Sequence, residues 1–118
     1  MAGSSDSPQL HIRPAGGHHQ ARRGGLLLAD SARVLELCEG DRPPVLYFPR
    51  EDVAMALLTP RPPVRAAKGD PCFYALAADT GPKPGPILAW SHEAPRATLR
   101  ALAGYLAFDP DLVSLSSD

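Results

Sequence analysis

Fourteen prolines and ten glycines in 118 residues restrict this chain more than any other feature. Proline lacks a backbone N–H and has a fixed φ, so it interrupts helices and central strands alike. Together the two residues make up about a fifth of the sequence, which leaves room for short elements joined by turns. Short strands are therefore expected over long helices. The hydrophobic share of 44% is enough for a packed core. The length fits one domain that folds without disulfides. Ten of the twelve cations are Arg and Ala is abundant, a bias of GC-rich genomes that suggests a bacterial source.

A net charge of −1 argues against a nucleic-acid or membrane-surface partner, which would usually call for a basic excess. Cys38 and Cys72 are too few for a disulfide framework. No basic-then-apolar leader pattern is present, and apolar runs fall far short of the ~20 residues that span a bilayer. The expected compartment is the cytoplasm, with both thiols reduced.

Along the chain, residues 1–7 have no apolar period and read as a disordered tail. Residues 8–118 read as the single domain. Residues 16–25, with His18, His19, Arg22 and Arg23 between glycines, read as an exposed loop. Leu26 to Ala29 reads as a strand, and Asp30-Ser31-Ala32 as a hairpin turn into a second strand over 33–38. In that second strand Val34, Glu36 and Cys38 share one face while Leu35 and Leu37 share the other. Residues 45–48 form a further strand. Pro49, the acids Glu51 and Asp52, and the formers Ala54 to Leu58 predict one short helix near 49–58, stopped by Thr59-Pro60. Residues 60–63 read as a loop. Residues 72–77 and 87–92 read as two strands joined by the proline-rich segment 81–86. Residues 97–106 have helical composition, but the apolar alternation through Phe108 fits a strand equally well.

These segments, in this order, resemble a known family. The residues are Ala29-Asp30-Ser31, Glu39, the block Tyr47-Phe48-Pro49-Arg50-Glu51-Asp52-Val53, then Lys68-Gly69 and Tyr74. Ala89-Trp90-Ser91, Pro95, Gly104-Tyr105-Leu106-Ala107-Phe108 and Pro110 complete the set. Together they are similar to the domain of unknown function family 427, sometimes labelled nucleotidyltransferase-like, over about residues 8 to 115. The resemblance implies a mainly β fold of two antiparallel sheets meeting at an angle, a β-tent, with a short helix beside them. It also favours strand for residues 104–108. Proteins of that fold bind oxidised methionine, RNA ends or guanine-nucleotide-binding proteins, so the fold implies no single function. Two departures stand out. Ala66-Ala67 occupy the place where such proteins often have Cys-Pro, and Asp109 interrupts a usual Phe-Tyr-Pro.

Catalytic and metal chemistry find little support in the residues. Two single cysteines 34 positions apart, without His at ligand spacing, do not make a zinc site. His18-His19 in a Gly-rich loop read as solvated rather than as ligands. Nucleotidyl transfer needs acids that converge on magnesium, and the candidates are Asp41, Glu51, Asp52, Asp70 and Asp79. Only Glu51 and Asp52 are adjacent, and a helix start explains them. Lys68-Gly69 reverses the order of a phosphate loop. Ser91, His92 and Glu93 are consecutive, but on a strand Ser91 and His92 face opposite ways and cannot form one relay. No catalytic residue, metal or cofactor is therefore expected.

The aromatic residues Tyr47, Phe48, Phe73, Tyr74, Trp90, Tyr105 and Phe108 all fall on expected strands. A small domain needs such residues for its core, and some can also line a pocket. The expected ligand site comprises Tyr47, Arg50, Asp52, Lys68, Tyr74 and Trp90. Aromatic rings would supply contact area there, Arg50 and Lys68 would orient an anionic or carbonyl group, and Asp52 would position a cation. Arg50 and Asp52 could equally form an ion pair at a helix start. The leading functional expectation is a non-catalytic small-ligand-binding module. The alternatives are a protein–protein adaptor working through an exposed sheet edge and an enzyme with an unfamiliar site.

Overall fold

Strand pairing in this chain follows from residue alternation and is punctuated by the glycines and prolines. The computed structural model describes residues 10–61, 71–78, 85–93 and 97–117. The tail 1–7, Lys68-Gly69, Lys83 and most of the proline-rich connection 81–86 lie outside the described residues. The strands are β1 Leu10–Pro14, β2 His19–Arg23, β3 Leu26–Ser31, β4 Leu35–Glu39 and β5 Val45–Phe48, followed by β6 Leu58–Arg61, β7 Cys72–Leu76, β8 Ala89–Ser91, β9 Leu106–Phe108 and β10 Ser114–Ser117. Among the described residues they form two antiparallel sheets. One has seven strands in the order β1-β4-β5-β9-β8-β7-β6, and the other has three in the order β10-β2-β3. The expected mainly β fold with two antiparallel sheets is what the chain adopts. No described helix is long and apolar enough to cross a membrane.

The core lies between the sheets. Ala21, Leu28 and Ala29 from the small sheet meet Phe48, Tyr74, Leu76, Ala89, Leu106 and Phe108 from the large one in a single buried cluster. The Phe48 and Phe108 rings meet edge to face at 5.5 Å and 79°. The opposite face of the large sheet carries a second cluster, with Tyr47, Leu102 and Ala107 buried and Leu35, Leu37, Trp90, Leu99 and Tyr105 packed against it. A 3-10 segment, Ala97–Leu102, contributes Leu99 and Leu102 to that face. The split of Val34 from Leu35 and Leu37 follows the expected alternation.

Four local expectations are corrected. Residues 16–25 are not an exposed loop: His19–Arg23 is a strand paired with β3, and its His19 and Ala21 are buried. The reversal between them is the two-residue Gly24-Gly25 turn, where Gly24 takes a left-handed φ of 59°. Residues 30–32 do not close a hairpin, because β3 and β4 belong to different sheets. Residues 49–58 do not form a three-turn helix. They form two 3-10 turns, Arg50–Asp52 and Met55–Leu57, on either side of an extended Val53. Val53 bridges Ala29, and the Ala54 N–H donates to the Leu28 carbonyl at 2.8 Å. Backbone bonds to the small sheet outweigh helix propensity there, which is worth only tenths of a kcal/mol per residue. Pro60, expected to end the helix and open a loop, instead lies within β6. That strand is at the sheet edge, where a missing N–H is tolerated.

Candidate functional site

Register places residues of β7, β8 and β9 side by side. Phe73 lies opposite Trp90 and Trp90 opposite Ala107, while Cys72 lies opposite Ser91 and Ser91 opposite Leu106. Successive strand residues face opposite ways, so Trp90 and Ser91 belong to different faces. On the face towards the small sheet, Ser91 is fully buried and Tyr74 is 6% exposed.

Arg50 enters this inner face from the 3-10 turn after β5. Its Nε donates to the Gly104 carbonyl at 3.1 Å, which anchors the guanidinium from behind. Gly104 has a φ of 79°, a conformation that side-chain-bearing residues rarely adopt. The Arg50 Nη2 donates to Glu93 Oε2 at 2.6 Å and to Ser91 Oγ at 3.5 Å. The Ser91 hydroxyl itself donates to the same Glu93 oxygen at 2.5 Å. Partial burial opposes the Arg50 charge, but the Tyr74 hydroxyl and the neighbouring Tyr74, Glu93 and Cys72 outweigh it and hold its pKa up. The result is a polar cluster in which the buried residues Tyr74 and Ser91 lie beside a partly exposed charged pair. The side chains of Arg50 and Glu93 are 36% and 46% exposed.

The outer face carries a separate polar group. Trp90 Nε1 donates to the Tyr47 hydroxyl at 3.3 Å, and that oxygen lies 3.4 Å from His92 Nε2. Burial pushes the Tyr47 pKa up, and the Trp90 N–H bond pulls partly against it. Burial also lowers the His92 pKa below its ordinary value of 6.5. Between the two values the unfolded chain binds the proton and the folded chain does not, so stability rises with pH there. Urea midpoints are expected to fall as the pH drops through 6.5, and to flatten once it passes below the folded-state pKa. The same titration on His92→Gln is expected to show a shallower slope, and an unchanged slope would assign the effect to other groups.

Of the six expected ligand residues, the structure brings Arg50 and Tyr74 together on the inner face. Tyr47 and Trp90 meet on the opposite face. Asp52 sits elsewhere, accepting from Ser31 Oγ at 2.7 Å and from Arg33 Nη2 at 3.2 Å. The Ser31 bond, resisted by burial and aided by Arg33, lowers the Asp52 pKa. Arg50 and Asp52 thus make separate pairings, with Glu93 and Arg33, rather than a helix-start ion pair. Lys68 lies outside the described residues. Ser91 and Glu93, which sequence reasoning weighed only as part of a catalytic relay with His92, join Arg50 here. Two-residue alternation was the available signal, since it puts Ser91 and Glu93 on one side of an extended chain.

A family model described as a domain of unknown function, DUF427, matches residues 11–118. The chain belongs to the DUF427 family. No protein of curated function matches its sequence. Within this DUF427 chain, the segments that carried the resemblance supply the inner polar cluster. Arg50 comes from the Pro-Arg-Glu-Asp segment, and Ser91 follows Ala89-Trp90. Gly104, from the Gly-Tyr-Leu-Ala-Phe segment, supplies the anchoring carbonyl. The Asp109 departure is accommodated locally: its Oδ1 accepts the Asp111 N–H at 2.9 Å in the turn after β9. Cys38 and Cys72 are both free thiols. No group of three His, Cys, Asp or Glu side chains among the described residues is placed to hold a metal ion.

Proposed function

We propose that this DUF427 domain is a non-catalytic small-ligand-binding module that recognises an anionic or carbonyl group through Arg50. One observation carries the reading. The guanidinium is held through Nε by the Gly104 carbonyl, and its other edge meets Ser91, Glu93 and Tyr74 in a partly exposed polar cluster. A core needs no such cluster for packing. A few convergent polar groups are what orients a ligand in small-molecule sites. The proposed site is therefore Arg50, Tyr74 and Ser91, with Glu93 beside them at the surface. Tyr47 and Trp90 support β8 from behind. Two free cysteines and the near-neutral charge fit a cytoplasmic module without nucleic-acid partners.

Native mass spectrometry of protein purified from its own cells tests this. The wild type is expected to carry a small-molecule adduct, and Arg50→Gln is expected to lose it while keeping the wild-type circular dichroism spectrum. A wild type without adduct, or an Arg50→Gln protein that keeps it, defeats the proposal.

A second reading, an adaptor using a sheet edge, is favoured by β10. The edge strands β1 and β6 contain Pro14 and Pro60, which disfavour added pairing, whereas Ser114–Ser117 carries neither proline nor charge. Pull-down that survives Arg50→Gln but is lost on placing proline at Ser116 would move the assignment to this reading.

A further inference from the structure

Two donors from different elements converge on one oxygen in the inner polar cluster. Arg50 Nη2, from the turn after β5, and Ser91 Oγ, from β8, both reach Glu93 Oε2, at 2.6 and 2.5 Å. The donors are fixed independently of Glu93. Arg50 is held through Nε by Gly104, and Ser91 is fully buried in a paired strand. Glu93 differs: it sits on a bend beyond β8, and its side chain is nearly half exposed. The receptor is rigid, and its occupant hangs at the surface.

We propose that Glu93 is a tethered stand-in for the ligand, that the ligand is a small carboxylate, and that its entry displaces Glu93 from Arg50 and Ser91. This deepens the proposed binding function and rests on it. A monoanion suits the site, because Arg50 brings one positive charge and two donors meet at a single oxygen. A tetrahedral dianion would leave charge unmatched. Displacement exchanges one carboxylate for another, so neither Arg50 nor the buried Ser91 hydroxyl is left without an acceptor, which would otherwise be costly. The tether also sets a threshold. A group held by a short linker competes at an effective concentration in the millimolar range. A free carboxylate must exceed that concentration or add contacts, for which Tyr74 and Cys72 stand alongside. Glu93 thus makes the module respond to abundant or well-matched ligand and ignore scarce simple acids.

The test uses propionate, which is the Glu93 side chain cut free at Cβ. Removing the tethered carboxylate in Glu93→Ala is expected to raise propionate affinity over wild type by the ratio of the tether's effective concentration to the variant's own propionate Kd, about tenfold where that Kd is a tenth of the effective concentration. Titration calorimetry reads the affinity, and thermal melting reads the stabilisation of Glu93→Ala by propionate. The gain is expected to disappear in Glu93→Ala with Ser91→Ala, and inorganic phosphate is expected to give none. In native mass spectrometry, Glu93→Ala is expected to retain more adduct than wild type, and propionate is expected to compete it away. A purely structural ion pair predicts the reverse, less adduct in Glu93→Ala. Should Glu93→Ala fail to fold, Glu93→Gln keeps the side-chain shape, removes the charge and is expected to show the same gain. Equal propionate affinity in wild type and variant overturns the proposal. If the wild-type adduct still depends on Arg50 in that case, the binding function stands and only the displacement fails. A wild type with no adduct overturns both, whatever propionate does to the variant.

Discussion

Phe48→Ala is expected to destabilise the domain by about 3–5 kcal/mol, the usual range for a fully buried ring cut back to a methyl group. Phe48 is 0% exposed and its ring meets that of Phe108 edge to face. The substitution therefore opens a cavity and removes an aromatic pair worth about 0.5–1.5 kcal/mol beyond burial. Domains of this size are stable by only about 5–15 kcal/mol, so the variant should be close to unfolding at moderate urea. Val45 on the same strand provides the contrast, since it is an exposed residue. Val45→Ala is expected to change stability by about 0.5 kcal/mol or less. Similar losses at both positions, measured as shifts in urea midpoint, would mean that β5 does not bury Phe48 as described.

Most of the fold was legible because most of it depends on two-residue alternation. The parity that separates Tyr47 from Phe48, or Trp90 from Ser91, assigns each to its face without knowledge of the partners. The β7–β8 pair was legible from two apolar runs around a proline-rich connection. Strand β2 was missed because its residues, His19, Gln20, Ala21, Arg22 and Arg23, look like a polar loop. Its one strong signal was Gly24-Gly25, two residues between paired runs, which suits a tight hairpin. The helix at 49–58 failed for another reason. Propensity describes a segment alone, whereas Val53 and Ala54 bond to Leu28 and Ala29, more than twenty positions earlier. Pairing at that distance leaves no local mark.

The site was legible in its parts and not in its assembly. Arg50 and Tyr74 were singled out by their sequence blocks, and they do meet. Tyr47 and Trp90 were grouped with them because aromatic residues were counted without regard to face. Asp52 was grouped through proximity to Arg50 in sequence, yet the 3-10 turn carries it to Ser31 and Arg33 at the end of the small sheet. Ser91 and Glu93 were weighed only as members of a triad with His92. That test asks whether neighbours relay a proton, and it overlooks a carboxylate that folds back on a hydroxyl two residues away.

Leu28→Ala is expected to cost about 2–5 kcal/mol, and its value lies in where the loss is seen. Leu28 belongs to the three-stranded sheet and is fully buried against residues of the seven-stranded one. Trp90 is the chain's single tryptophan and packs on the far face of the large sheet, with its indole N–H on Tyr47. No residue of the small sheet belongs to the cluster that holds it. A change in Trp90 fluorescence on mutation of Leu28 must therefore travel through the shared core. If the sheets fold as one unit, Leu28→Ala lowers the urea midpoint by the same amount in Trp90 fluorescence and in far-ultraviolet circular dichroism, the coincidence required of a two-state domain. The links between Val53 and Ala29, and between Ala54 and Leu28, argue for that outcome, since opening the small sheet also releases the segment that carries Arg50. A Trp90 transition that stays at its wild-type midpoint while the dichroism splits into two steps would show two independent units. The polar cluster around Arg50 would then survive loss of the small sheet, and ligand binding would be expected to persist in Leu28→Ala at urea concentrations beyond the first step.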